Sequence, residues 1–263
     1  MNIKQKLTCA FVAIACLPIL LVAAVVIYNL RSQAEATFLD GSSREIRQIE
    51  NAMNMFFKGI SESVDYVAAL PPLVAAPQLK NYSSADADRL PLPEANRELE
   101  DLFDLFAKAH PTTAYLSYGR VDGGYATWPR DPGLKNYDPR VRPWYKKAME
   151  APGQTLRTAA YYWAPDDAVL IGTVRTVNDA RGNLAGVVGL DVSLKQLTEL
   201  VRQIKLGETG YLMLVEANGN VLVDPSNADH NFKSLADLGG DYARMAGAEG
   251  LLEVDIDGTR YMA

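Results

Sequence analysis

An uncharged, apolar stretch near the N-terminus constrains this sequence more than any other feature. Residues 7–28 contain no charged side chain, and they exceed the roughly 20 residues that an α-helix needs to cross a bilayer. Lys4 and Lys6 precede the stretch. Positive charge is retained on the cytoplasmic side of membranes, so the sequence predicts a cytoplasmic N-terminus over residues 1–6 and a transmembrane helix over residues 7–28. Everything after Arg31 is then expected outside the cytoplasm.

A cleaved signal peptide is the alternative interpretation of the same stretch. The apolar core is longer than the roughly 7–15 residues of a typical signal-peptide core, and no clear small-x-small cleavage site precedes the next polar segment. Pro18 is tolerable within a membrane helix. The sequence therefore favours an uncleaved anchor over a secreted protein.

The composition indicates a globular chain and excludes several classes of function. Of 263 residues, 48% are hydrophobic and 22% are charged, and the net charge is −6. An acidic chain with scattered basic residues is not expected to bind nucleic acid. Cys9 and Cys16 both lie in the apolar stretch, so no disulfide is expected beyond it. His110 and His230 have no Cys or His neighbours at metal-ligand spacing, so neither a metal nor another cofactor is predicted.

A long amphipathic helix is predicted directly after the anchor, over residues 31–70. Its apolar residues recur at spacings of three and four: Ile46, Ile49, Met53, Phe56, Ile60 and Val64. The helix is a plausible stalk, and Pro71 with Pro72 is expected to end it. Its apolar stripe could pack on its own domain or on a second copy of the chain. A homodimer through the stalk and transmembrane helices is the expected assembly.

Two further modules follow in sequence. Residues 77–203 contain an irregular connection and then a pattern of helix, hairpin, short helix, three strands and helix, which predicts an antiparallel sheet covered by helices, an α+β domain. Residues 207–263 hold two hairpin signals, "ANGN" and "DG". Because the last predicted hairpin is only begun at Ala263, we expect this module to be incomplete and the chain to be the front part of a longer protein.

The stretch "YDPRVRPWY", residues 137–145, combines groups suited to binding a small polar ligand. The guanidinium of Arg142 offers a planar fork of donors that matches a carboxylate. Trp144 and Tyr145 add directional donors on large apolar faces, and Pro143 fixes the backbone at a helix start. The alternative is structural, with Arg140 paired to an internal acid and Trp144 filling the core.

This stretch, followed by "VVGLDVSL", resembles the membrane-distal module of double-Cache sensor domains in bacterial chemoreceptors. The resemblance covers residues 31–263, with a stalk helix, a distal module and a proximal module that opens with "GETGYLMLVEANGNVLVDP". It implies a receptor in the bacterial inner membrane with its sensor in the periplasm. In amino-acid-binding members the ligand is held at positions matched here by Tyr137, Arg142, Trp144, Tyr145 and Asp191. The resemblance implies that Asp191 receives a ligand ammonium, and that Arg142 with Trp144 receives a carboxylate.

The loop "YYWAPDD", residues 161–167, suggests a more specific ligand. Tyr162 and Trp163 offer aromatic faces to a cation, and Asp166 or Asp167 could neutralise a second positive charge. This loop and the opening "MNIKQKL" are similar to the polyamine- and histamine-sensing branch of these receptors. We therefore expect a small cationic amine, with an amino acid as the alternative. An ordinary turn, in which the aspartates bond their own backbone, is a further alternative.

An enzyme is the rival class of function. Residues 31–263 contain no nucleophile elbow, no P-loop and no metal motif, so a binding module without catalytic activity is expected. The resemblance also leaves a second form of output open, because similar domains precede histidine kinases and cyclic-dinucleotide enzymes.

Overall fold

The computed structural model describes residues 3–75, 78–163, 168–202, 210–248, 250, 252–256 and 258–263. The chain divides into two compact units, Met1–Met53 and Asn54–Ala263. The helices of the described residues are α1 (Ile3–Ala68), α2 (Pro71–Val74), α3 (Glu94–Ala109), α4 (Pro143–Met149), α5 (Leu194–Arg202), α6 (Leu235–Leu238) and α7 (Gly240–Met245). The prediction of an α+β fold, with a long apolar helix ahead of an antiparallel sheet, is confirmed.

Helix α1 is continuous through the sequence predicted as anchor and stalk. From Ile14 onward it contains an 18-residue window of mean hydropathy 2.1, so by length and composition it could cross a membrane. Pro18 lies inside the helix. The helix ends at Ala68, ahead of the two prolines that were expected to stop it. Pro71 also begins the short helix α2, because a proline at the first helical position lacks only an N–H that has no partner in the helix.

The central element of the second unit is a six-stranded antiparallel sheet, with strand order β2-β1-β6-β5-β3 and β4 beside β5. Its strands are β1 (Tyr115–Arg120), β2 (Tyr125–Trp128), β3 (Leu156–Arg157), β4 (Tyr161–Trp163), β5 (Ala168–Asn178) and β6 (Leu184–Ser193). Strands β3 and β4 pair in succession along one side of β5. The sequence predicted all of these strands except the two-residue β3.

Each face of this sheet is buried against different elements. One face packs on the C-terminal part of α1 and on α2 and α3, through a core that includes Val64, Leu73, Phe103, Tyr118 and Val188. The other face packs on α4 and holds an aromatic cluster made of Tyr125, Tyr137, Trp144 and Tyr145 with Val174 and Val187. Residues of both faces alternate along β1 and β6, as the two-residue period of a strand requires. The aromatic face is where the predicted ligand residues are expected.

The C-terminal part contains two small hairpins and two short helices. The hairpins pair β7 (Leu214–Val215) with β8 (Val221–Val223), and β9 (Glu253–Ile256) with β10 (Thr259–Met262). Both hairpins lie where the "ANGN" and "DG" turn signals predicted them. Gly219 and Gly258 have φ angles of 87° and 79°, a left-handed conformation that glycine adopts without strain.

Candidate functional site

The segment from Tyr137 to Tyr145 has a rigid local structure. The Asp138 side chain accepts a hydrogen bond from the Arg140 backbone N–H and caps a 3₁₀ turn over Pro139–Val141. Arg142 is the N-cap residue of α4, with φ −81° and ψ 150°, and Pro143 follows at the first helical position. These caps fix the directions in which the neighbouring side chains leave the backbone.

Arg140 and Arg142 have different environments although they are two residues apart. Arg140 forms a two-point ion pair with Asp138, through Nε at 2.9 Å and Nη2 at 2.8 Å. Its role is therefore structural. The guanidinium carbon of Arg142 lies 4.4 Å from the centre of the Tyr137 ring, and its buried Nε finds no hydrogen-bond partner among the described residues. A buried N–H without a partner costs free energy, so Arg142 is the arginine with donor capacity left for a ligand.

Trp144 lies against the sheet because two glycines leave room for it. A Cβ at Gly119 would lie 3.0 Å from Trp144 Cη2, and a Cβ at Gly189 would lie 3.3 Å from its Cε3. The residue is 5% exposed, and its indole Nε1–H donates to the Tyr137 hydroxyl at 3.1 Å. The indole N–H is thus paired within the chain, and Trp144 holds Tyr137 in place.

Asp191 is a buried carboxylate on the central strand β6. It lies between Tyr115 of β1 and Gly172 of β5, and the residue is 7% exposed. The Tyr161 hydroxyl donates to its Oδ1 at 2.7 Å. A Cβ at Gly172 would lie 2.8 Å from the same oxygen, so this glycine makes space for the carboxylate.

The electrostatics of Asp191 indicate a buried carboxylate that no described cation neutralises. Burial raises the pKa of Asp191 to about 7, and the hydrogen bond from Tyr161 opposes that shift only in part. In the described part of the chain no cation contributes to this balance. A buried acid without a counter-charge is costly in its ionised form. An entering ammonium group would supply the missing charge.

Tyr137 connects the acidic and basic ends of the site. Burial is the main cause that raises the pKa of Tyr137, while the charge of Arg142 lowers it and that of Asp191 raises it. The ring lies 4.6 Å from the Tyr125 ring, centre to centre. Trp163 meets Tyr137 edge to face at 6.2 Å. The aromatic surface around Tyr137 is therefore bordered by one carboxylate and one guanidinium.

The structure brings together Tyr137, Arg142, Trp144, Trp163 and Asp191 from the predicted set. Tyr145 is buried beside Trp144, with ring centres 5.7 Å apart, but the charges that act on its hydroxyl are those of Arg140, Asp122 and Asp138. Its hydroxyl thus belongs to a different charged environment from that of Tyr137. Asp166 and Asp167 lie outside the described residues, and so does the Tyr162 side chain. The roles predicted for these three therefore stay predictions.

Tyr161 is the site residue that sequence reasoning missed. Its hydroxyl contacts Asp191, and Trp163, two residues further along β4, packs on Tyr115 and Tyr137. Alternate residues of a strand share a face. The two-residue period of the strand predicted over "YYW" already places Tyr161 on the same face as Trp163, and that period is the signal that could have found Tyr161.

In chemical terms the site can bind a small dipolar or cationic ligand. Asp191 with the aromatic faces of Tyr137 and Trp163 suits an ammonium group, and Arg142 suits a carboxylate. Among the described residues, no group of three or more His, Cys, Asp or Glu side chains could hold a metal ion.

Comparisons with known proteins agree with this architecture. The chain is 38% identical over 146 residues to the methyl-accepting chemotaxis protein McpG of Pseudomonas putida, which covers 56% of this chain and 22% of that protein. It spans between 18% and 36% of the length of eight curated relatives, all of them methyl-accepting chemotaxis proteins by name.

Solved structures give the same result at the level of the fold. One is the ligand-binding domain of the amino acid chemoreceptor PctC of Pseudomonas aeruginosa PAO1 in complex with GABA, with 25% identity, a TM-score of 0.57 and coverage of 81% of this chain and 84% of that one. Another is the corresponding domain of PctB from the same organism with L-Gln, with 27% identity, a TM-score of 0.52 and coverage of 76% of each chain. The family model described as "Cache domain" matches residues 29–263, and the chain therefore belongs to the Cache domain family.

Proposed function

We propose that this chain is the ligand-sensing part of a bacterial chemotaxis receptor, and that the Asp191 site binds a small ligand carrying both an ammonium group and a carboxylate. The similarity to chemotaxis proteins supports the receptor role. The amino acid and GABA complexes of the related domains support the ligand class. An amino acid is thus favoured over the cationic amine that the loop sequence suggested.

The observation that carries the proposal is the pair of opposite charges beside Tyr137. Among the described residues, Asp191 is buried with no cation beside it, and Arg142 keeps a buried donor with no acceptor. An amino acid satisfies both groups at once, because its ammonium and carboxylate are the complementary charges. A diamine would satisfy Asp191 but would add a second positive charge to a site that already contains the Arg142 guanidinium. Such an arrangement favours the dipolar ligand.

The amine hypothesis has one specific support, the acidic pair Asp166 and Asp167 at the end of the aromatic loop. If either carboxylate reaches the ligand, it would neutralise the second charge of putrescine or the imidazole of histamine. The two hypotheses therefore assign importance to different residues. Arg142 matters for a carboxylate, and the acidic pair matters for a second cation.

Titration calorimetry on matched variants tests the proposal. L-glutamine, GABA, putrescine and histamine are titrated into the wild-type chain, Arg142→Ala, the double variant Asp166→Asn/Asp167→Asn, and Arg97→Ala as an exposed-arginine control on α3. We expect Arg142→Ala to weaken L-glutamine or GABA by about tenfold or more, since a hydrogen bond to a charged group contributes about 1.5–3 kcal/mol. The other two variants should change these affinities little. Binding of the amines alone, with loss in the double Asn variant, would contradict the dipolar ligand.

We also propose that the chain sits in the inner membrane with residues after Arg31 in the periplasm, and that it acts as a homodimer through α1. The apolar window in α1 and the family support this placement. A reporter fused at Ser83 should be active only if it is periplasmic, whereas a mature N-terminus near residues 28–35 would indicate a cleaved, secreted protein. Oxidative cross-linking through Cys16, with Cys9 replaced by Ser, tests the dimer in membranes.

The chemotaxis output and the absence of catalysis are proposals of the same kind. Deleting the gene should remove attraction to, or repulsion from, the ligand in a capillary assay while swimming speed is unchanged. A phosphotransfer or cyclic-dinucleotide response to the ligand, with normal chemotaxis, would favour the kinase or cyclic-dinucleotide alternative.

A further inference from the structure

The short segment Thr155–Tyr161, here called the edge segment, touches three parts of the protein at once. It contains β3 and leads into β4 at one edge of the six-stranded sheet. Its residues contact the Asp191 site, helix α1 and the β7–β8 hairpin through separate side chains and backbone groups. The coupling argued below rests on the proposed function, because it concerns how occupancy of the Asp191 site is passed on.

Toward the ligand site, the edge segment makes three hydrogen bonds. The Tyr161 hydroxyl donates to Asp191 Oδ1 at 2.7 Å. Buried Thr158 is bonded to Gly172 in both directions, through its backbone N–H to the Gly172 carbonyl at 2.8 Å and through its Oγ1 from the Gly172 N–H at 2.9 Å. Gly172 lies directly against the Asp191 carboxylate. A shift of that carboxylate therefore acts on Tyr161 directly and on Thr158 through Gly172.

Toward helix α1, the edge segment makes polar and aromatic contacts. The Thr155 hydroxyl donates to Asp65, which also accepts from Arg175 Nη1 at 3.0 Å. The guanidinium carbon of Arg157 lies 3.7 Å from the centre of the Phe57 ring. Asp65 and Phe57 lie in the part of α1 that belongs to the second unit. Exposed ion pairs contribute little to the free energy of unfolding. The main effect of these contacts is therefore to fix where the segment lies on the helix.

The third contact reaches the C-terminal module. The Ala160 backbone N–H donates to Glu216 Oε1 at 3.1 Å. Glu216 directly follows β7, and its own N–H donates to the Asn220 carbonyl at 2.8 Å, within the β7–β8 hairpin. A movement of the Ala160 backbone therefore changes its hydrogen bond to Glu216 and acts directly on this hairpin.

We propose that the edge segment is the element that couples the Asp191 site to α1 and to the β7–β8 hairpin. A ligand ammonium that pairs with Asp191 shares the carboxylate with the Tyr161 hydroxyl, so the position of the carboxylate, and with it the Tyr161 hydrogen bond, changes when the ligand binds. The segment can follow such a change at low cost, because β3 has only two residues and in the described sheet it pairs with β5 on one side only. Short elements with few backbone hydrogen bonds open most easily. The segment contacts the Asp191 site, α1 and the β7–β8 hairpin, so one local displacement at the site changes its contacts with α1 and with the hairpin.

The first test needs no ligand. Hydrogen exchange by mass spectrometry is measured on the full 263-residue chain in nanodiscs, for wild type, Tyr161→Phe and Tyr82→Phe. Tyr82 is a half-buried tyrosine near β2, at the opposite edge of the sheet, so it serves as the matched control. We expect Tyr161→Phe to change exchange by about fivefold or more in residues 54–68 and 214–223, the lower end of usual coupling energies. The control should leave both regions unchanged.

The second test separates coupling from binding. In Asp65→Asn/Arg157→Ala, L-glutamine or GABA should bind within about twofold of wild type, while the exchange change that the ligand produces in residues 54–68 is lost, as expected when coupling energy and affinity are separate. Loss of affinity in this variant would overturn the proposal, because the contacts would then belong to the binding site. If neither probe binds wild type, the proposed ligand class fails, and the ligand-free test alone decides the coupling. An effect of Tyr161→Phe confined to residues 155–193 would overturn it.

Discussion

Two buried aspartates, Asp191 on the central strand β6 and Asp224 just after β8, have opposite surroundings. Asp191 receives one hydrogen bond in the described structure, from the Tyr161 hydroxyl. The oxygens of Asp224 accept from the Ser226 N–H at 2.8 Å, the Ser226 hydroxyl at 2.5 Å and His230 Nδ1 at 2.8 Å. Both residues are inaccessible, at 7% and 2% exposure, so burial alone does not distinguish them.

The difference lies in where each carboxylate finds its partners. Asp224 is followed by a turn, and the backbone and side chains of the next six residues surround it, as is usual for an aspartate at a turn. Asp191 lies within a strand, whose backbone N–H groups are used by the neighbouring strands. Its partners must come from distant parts of the chain or from a ligand. A buried carboxylate with few internal donors is therefore the better indicator of a binding site.

The comparison gives its largest expected effect in ligand affinity. Asp191→Asn should weaken L-glutamine or GABA by about a hundredfold, since removing one partner of a buried charge pair costs about 2–5 kcal/mol. Asp224→Asn should leave the affinity within about threefold, because Asp224 faces its own turn and coupling between separated sites is small. Titration calorimetry on both folded variants measures this, with circular dichroism as the check on folding. Equal losses at the two sites would mean that Asp191 acts through stability and not through contact with the ligand.

The second expected effect is on stability, and the two variants should differ in sign. The pKa of Asp191 is raised to about 7, above the value of its unfolded state. The folded protein therefore binds a proton that the unfolded chain has lost, and stability falls as the pH rises from about 4 to 7. Asparagine removes this penalty of at most about 4 kcal/mol but also weakens the bond from Tyr161, so we expect a net gain of about 2 kcal/mol at pH 8 without ligand.

Asp224→Asn should instead lower the free energy of unfolding by about 1–3 kcal/mol, because an amide leaves buried donors of Ser226 and His230 without good acceptors. Urea denaturation of ligand-free protein at pH 8 gives both values. If Asp191→Asn loses as much stability as Asp224→Asn, the Asp191 carboxylate has hydrogen-bond partners as good as those of Asp224. The contrast between the two sites would then be wrong.

Much of the fold was predictable because its signals are local. The β-favouring runs of β1, β5 and β6, Pro143 at the start of α4 and the "ANGN" and "DG" turns each depend on residues close in sequence. β3 was not predicted, because a two-residue strand has no period and exists only through its pairing with Val174 and Thr173. Helix α1 ends just before Pro71 and Pro72, where the prolines predict an end, and Pro71 in addition starts the short helix α2.

The site was predictable in part for the same reason. Arg142 and Trp144 stand in a short motif with a fixed cap, but the bond from Tyr161 to Asp191 joins residues 30 positions apart and depends on strand register. The two arginines of the motif look alike in sequence. Only the two-point pairing of Arg140 with Asp138 shows which guanidinium is already occupied. Tyr145 likewise matched the motif, while its hydroxyl lies among the charges of Arg140 and Asp122.

The smallest expected effect is the dependence of affinity on pH, and it tests the charge of Asp191 directly. An ammonium ligand pairs with the ionised carboxylate, so its apparent affinity follows the fraction of Asp191 that is ionised in the empty site. With a pKa of about 7, that fraction is roughly one tenth at pH 6 and nine tenths at pH 8. GABA keeps its ammonium group over this range, because it is an alkyl amine similar to that of lysine. GABA should therefore bind about ninefold more weakly at pH 6 than at pH 8, a difference of about 1.3 kcal/mol.

Calorimetry in two buffers with different ionisation enthalpies should also detect the release of about half a proton per GABA bound at pH 7, because the ligand shifts Asp191 to its ionised form. Any residual binding by Asp191→Asn should show neither effect. Asp224 has its donors in place before the ligand arrives, so Asp224→Asn should keep both the ninefold slope and the proton release. If the affinity of wild type for GABA does not change from pH 6 to pH 8, Asp191 is ionised over the whole range. Its carboxylate would then be as well hydrogen-bonded as that of Asp224, and the ammonium group would bind elsewhere.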